Sequence, residues 1–164
     1  MPFGMDALTL IHVLLSLIGI LAGFVVLAGM FDSRRLESWT ALFLITTVAT
    51  SVTGFLFPFT KLLPSHIVGI ISLVVLAIAS AARYSFRMKD SWRLIYVVTA
   101  LIALYLNVFV LVVQAFMKVP ALKALAPTGS EPPFAIAQGV VLIAFIYVGV
   151  RAAMRYRPET MVAN

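Results

Sequence analysis

The sequence predicts an all-α fold: a polytopic transmembrane helix bundle of five spans. It reads as one domain, residues 1–164, with the N-terminus outside and the C-terminus cytoplasmic. Three observations carry this expectation. The 164 residues are 63% hydrophobic and only 11% charged, against about 25% charged in a soluble domain, and the mean hydropathy is +1.11. Five stretches are apolar over lengths near the roughly 20 residues that cross a bilayer. The basic residues divide unequally between the two sides that those stretches define.

The first span covers residues 7–30 and is closed by Asp32, Ser33, Arg34 and Arg35. The second, residues 40–57, is rich in Thr, and Pro58 and Pro64 bracket the connection that follows it. The third covers residues 66–86 and the fourth residues 92–117, with Asp90 or Ser91 as candidate cap. Ser130 and Glu131-Pro132 open the fifth, residues 134–153. Lipid offers no partner to an open backbone, so each span is expected to be a helix. A four-span alternative lays the Thr-rich second stretch in the interface.

With five spans, Arg34, Arg35, Arg83, Arg87, Lys89, Arg93, Arg151, Arg155 and Arg157 share one side. Lys61, Lys118 and Lys123 occupy the other, which accounts for all 12 basic residues. The connections are short, so the richer side is expected to be cytoplasmic. This places the chain in a cell's inner membrane. Topology then explains the net charge of +6 without nucleic acid, and contact with anionic lipid heads follows. Trp39, Trp92, Tyr84 and Tyr156 fall where an interfacial aromatic belt is expected. Residues 1–6 lack the basic start of a signal peptide.

Composition excludes several functions. There is no cysteine, hence no disulfide framework, zinc-thiolate site or thiol nucleophile. No carboxylate lies well inside a span, which disfavours proton-coupled transport and a bundle metal site. The polar residues within spans are therefore the informative ones. His12, Ser16, Gly19 and Gly23 share a face of the first span. Gly19 and Gly23 also allow close approach of another helix, in this chain or in a second copy. Thr46, Thr50 and Thr53 form a stripe on the second span, beside Thr47, Ser51 and Gly54. The third span offers His66, Gly69, Ser72 and Ser80. The fourth aligns Tyr96, Ala100, Ala103, Asn107 and Gln114, and the fifth contributes Gln138 and Gly149.

At ~1.5 Å per residue, Gln114, Gln138, Thr53 and His12 lie roughly 5–8 Å below the outer ends of their spans, and Asn107 about 15 Å. Polar chemistry is thus expected in the outer leaflet, above a more apolar cytoplasmic half. His12, Ser16, Thr50, Thr53, His66, Asn107, Gln114 and Gln138 are the candidate ligand-binding residues. The bland alternative is interhelical glue, at about 0.6–2 kcal/mol per residue. Phe55, Phe57, Pro58 and Phe59 form a candidate aromatic rim, followed by Lys61. Residues 119–126 form a candidate amphipathic turn on the outer surface.

The expected function is non-catalytic: binding of a small apolar or amphipathic molecule in the outer polar layer, or service as an accessory subunit of a membrane complex. No cofactor is required. One alternative is a b-type haem held by His12 and His66, although the start of the third helix places His66 at the surface, about 8 Å from the depth of His12. Another is a small-molecule transporter. The expected partners are the lipid bilayer and, through the glycines, a homo-oligomer or a larger complex.

Overall fold

A computed structural model describes residues 7–57 and 64–158. Those residues are all-helical, without a strand. The elements are α1 (Ala7–Phe31), α2 (Glu37–Gly54), α3 (Pro64–Ser80), a π-helical turn (Ala81–Ser85), α4 (Trp92–Lys118), α5 (Pro120–Leu125) and α6 (Pro132–Arg155). Pro58, Phe59 and Lys61 lie outside the described residues. Among the described residues four stretches are long and apolar enough to cross a membrane: α1, α3 with its π-helical turn, α4 and α6. The Thr-rich α2 is not among them.

The boundaries move modestly from those expected. α2 begins at Glu37, three residues before the predicted start, because the turn before it is tight. Asp90 and Ser91 do not cap α4, and Ser130 does not cap α6: both helices begin without a side-chain cap. The Glu131 carboxylate turns back instead, accepting from the N–H groups of Thr128 and Ser130 and from the Thr128 hydroxyl, at 2.9–3.1 Å. It therefore orders the α5–α6 connection. α5 is the short helix expected in residues 119–126, and none of its residues is buried.

α4 is the central element and touches α1, α3, α5 and α6. Its buried residues recur at helical spacing: Tyr96, Val97, Ala100, Leu101, Ala103, Leu104 and Asn107. α2 packs chiefly on α1 and then on α3. α6 leans on α4 and α1, and Ala152 is its one buried residue. Its exposed face, Ile136, Val140, Ile143, Ile146 and Val150, suits hydrocarbon and not water.

Gly19 and Gly23 are used within the chain. A Cβ on Gly23 would stand 2.5 Å from Leu104 Cδ1 and 3.0 Å from Phe43 Cε2. The pair is where α1 meets α2 and α4, so that face is not open to a second copy. Helices in lipid gain little from hydrophobic expulsion and depend on such contact. Gly23→Val should therefore destabilise the fold by about 1–3 kcal/mol, the usual cost of overpacking, as measured by unfolding titration in detergent; a neutral effect would show that the contact is slack.

Candidate functional site

The bundle has two polar ends, and they differ in kind. At the first, α1 begins beside the end of α2. His12 Nδ1 lies 2.9 Å from Thr53 Oγ1. The Thr53 hydroxyl also lies 2.8 Å from the Ala49 carbonyl; when its one hydrogen goes there, His12 Nδ1 donates to it, so the imidazole tautomer sets the direction of this bond. One turn deeper, Ser16 Oγ donates to Asn107 Oδ1 at 3.4 Å. Thr50 back-bonds to the Thr46 carbonyl at 2.8 Å. Thr46 Oγ1, Thr47 Oγ1 and Asn107 Nδ2 converge on Gly19, where a Cβ would stand 3.0–3.3 Å from each. Thr47 Oγ1 and Asn107 Nδ2 are buried and have no hydrogen-bond partner.

The predicted layer is therefore brought together in part. His12, Ser16, Thr53 and Asn107 form one seam between α1, α2 and α4. Gln138 joins α6 to α4, with Nε2 donating to the Phe109 carbonyl at 3.1 Å, while its Oε1 is buried and unpartnered. Gln114 does not join, because its side of α4 is exposed. His66 departs from its expected surface position: it sits in the first turn of α3 yet is 6% exposed. Its ring lies 5.9 Å from that of Phe55, which follows α2 and covers it. The His12 ring meets Phe57 edge-on at 5.3 Å. Each histidine thus has an aromatic partner from the turn that ends α2. Among the described residues no three His, Cys, Asp or Glu side chains cluster as metal ligands.

The opposite end was expected to be apolar inside and charged only at its surface. Arg83 overturns this. Its side chain is fully buried. Nη2 donates to the Arg35 carbonyl at 2.6 Å and pairs with Glu37 Oε2 at 2.9 Å. Nη1 donates to Tyr156 Oη at 3.3 Å and contacts Met88 Sδ at 3.6 Å. The guanidinium carbon stands 5.2 Å from the centre of the Tyr96 ring, a cation–π geometry. Tyr156 is likewise 1% exposed and belongs to this cluster, not to an interfacial belt. Burial pushes its phenol pKa up, against the opposing pull of Arg83.

The backbone around Arg83 is unusual. Arg83 lies in the π-helical turn, closed by Phe86 N–H on the Ala81 carbonyl at 2.9 Å. Such turns often mark functional positions. Ser33, Leu36, Arg87, Met88 and Asp90 all have positive φ, and all lie at this end. Leu36, at φ 42°, lies in a region that costs an L-residue roughly 1–2 kcal/mol. Arg83 holds the carbonyl before it and the carboxylate after it, and the Leu36 side chain fills the gap left by Gly29. The tail is tied in as well. Arg93 Nη1 donates to the Ala153 and Tyr156 carbonyls at 3.1 and 2.6 Å, a cation at a helix C-terminus. Ser33 Oγ donates to the Arg155 carbonyl and accepts from Arg157 N–H, both at 3.0 Å.

A sequence signal for Arg83 existed. Ser72, Leu76 and Ala79 are buried on α3, and Arg83 continues that 4-3-4 spacing. The positive-inside count treated it as one charge among nine. Arg83→Ala should cost about 2–5 kcal/mol, because it empties a fully buried position and leaves the Arg35 carbonyl and the Tyr156 hydroxyl without their donor, read from the same unfolding titration. A loss below ~1 kcal/mol, the range of an exposed pair, would contradict the buried geometry.

Compared with protein-family models, with curated proteins and with solved structures, the chain has no match.

Proposed function

We propose that the chain is a five-span protein of a cell's inner membrane, N-terminus outside, and that it binds a small amphipathic molecule without catalysis. In this reading the histidine end faces outward and the Arg83 end faces the cytoplasm. The nine-to-three division of basic residues supports the orientation. Two features support α2 as the fifth span. Its 18 residues reach about 27 Å, near the ~30 Å hydrocarbon core. Its Thr46, Thr50 and Thr53 hydroxyls donate to carbonyls of their own helix, which hides from lipid the polarity that lowers its hydropathy.

The chain has no native cysteine, so single-cysteine labelling of intact cells tests the topology directly. Leu56→Cys and Ser130→Cys should react with an impermeant maleimide, and Asp32→Cys should react only after lysis. Labelling of Asp32→Cys alone would reverse the orientation, and protection of Leu56→Cys would remove α2 as a span.

The observation that carries the binding reading is the pair of unpartnered buried atoms, Thr47 Oγ1 and Asn107 Nδ2, beside the His12–Thr53 bond. A buried polar group without a partner costs about 1–3 kcal/mol. A ligand whose polar end meets these groups recovers that energy, while its apolar part lies among the helices. Mild-detergent purification followed by native mass spectrometry should retain a small molecule on the wild type. Asn107→Leu should retain up to about tenfold less, one hydrogen bond's worth. A bare mass for the wild type, with Asn107→Leu more stable, would identify the seam as packing alone.

A further inference from the structure

We propose that the Arg83 end carries a second site, which takes the phosphate group of an anionic lipid. It is separate from the seam and does not depend on a ligand there. A cleft of about 260 Å³ opens at this end, walled by Arg35, Arg87, Met88, Asp90, Arg93 and Arg157. The four arginines come from four segments: the α1–α2 turn, the α3–α4 connection, the first turn of α4 and the residues after α6. Asp90 is the one carboxylate among these lining residues, and Arg35 is already paired with Glu37 outside them.

Part of the wall is fixed before any ligand arrives. Arg93 is held on the last carbonyls of α6. Arg35 pairs with Glu37 at 2.9 Å. Met88 N–H is bonded to the Ala82 carbonyl at 2.9 Å, and Met88 Sδ touches Arg83. Arg87 and Arg157 are exposed, and among the described residues neither is in an ion pair. Their forked donors match phosphate oxygens, a geometry Lys does not offer.

Size and surroundings select the ligand. At about 260 Å³ the cleft has room for a phosphate headgroup. Arg87 is also shared with a groove lined by Ser85, Phe86, Lys89 and Trp92. Phe86 and Trp92 stack there with centroids 3.7 Å apart, nearly parallel, and Phe86 is 43% exposed. A lipid can place its phosphate among the arginines and its first chain carbons along these rings. A free phosphate ion leaves the rings unused.

The sequence has two tryptophans, so Trp39→Phe leaves Trp92 as the reporter beside the site. The full chain in nonionic detergent would be titrated with phosphatidylglycerol carrying brominated chains, and Trp92 quenching followed. Saturable quenching is expected, with brominated phosphatidylcholine at least about tenfold weaker, since charge-assisted bonds hold the headgroup. Arg87→Gln with Arg157→Gln should weaken phosphatidylglycerol by roughly tenfold or more. Arg34→Gln with Arg151→Gln, which remove equal charge outside the cleft, should change it by less than about twofold. Helicity by circular dichroism confirms that each exposed-site variant is folded. Equal loss from the two pairs would reduce the effect to diffuse surface charge and overturn the site. Equal quenching by both lipids would do the same. Binding of inorganic phosphate by calorimetry, without preference between the lipids, would overturn the lipid assignment in favour of a free anion.

Discussion

A guanidinium at the edge of a bilayer cannot be left dry and unpaired, and the Arg83 end is built around that constraint. Its Nη groups reach the α1–α2 turn through the Arg35 carbonyl and Glu37, and the C-terminal segment through Tyr156. Tyr96 of α4 supplies a ring face. One side chain of the π-helical turn after α3 therefore ties together three other parts of the chain. Removing it would strand oriented acceptors and a left-handed turn at Leu36. The ion pair itself adds little net stability, because the Glu37 carboxylate stays more than half exposed to solvent. What it supplies here is geometry: the turns that carry Arg35, Arg87, Arg93 and Arg157 are held in one place relative to each other.

The other end obeys a different rule. Its polar groups are neutral and are arranged around close backbone approach. Gly19 lets α1 sit against Thr46, Thr47 and Asn107, and Gly23 lets it sit against Phe43 and Leu104. Small residues and single hydrogen bonds are what lipid permits as adhesive between helices. Most hydroxyls of α2 are spent on its own carbonyls. Thr47 Oγ1 of α2 and Asn107 Nδ2 of α4, buried without a partner, mark where the seam has chemistry to spare.

Much of the fold was legible in advance. α1, α4 and α6 follow the predicted spans within about two residues, because long apolar runs in lipid have no alternative to the helix. α2 was harder to read, since threonine lowers hydropathy whether or not its hydroxyl is satisfied internally. The site was legible only in part. The pairing of His12 with Thr53, and of Ser16 with Asn107, follows from shared depth and helical faces. Gln114 failed because the stripe on α4 drifts: by its position the helix has turned that face outward. His66 failed because Phe55, past the end of α2, folds over it. Tyr156 and Arg83 were misplaced because rules that count aromatic rings and charges near a boundary are blind to which of them turn inward.

The sequence by itself determined the medium, the helices and the unequal distribution of charge, since each depends on composition and local period. Tertiary structure alone decided which segments close on Arg83, which histidine is covered, and that arginines from four separate segments line one cleft. Those outcomes depend on contacts between residues up to 124 positions apart, as Ser33 and Arg157 are. Hydropathy and spacing report what a residue is and which face of its own helix it shares. They do not report which other segment closes over that face.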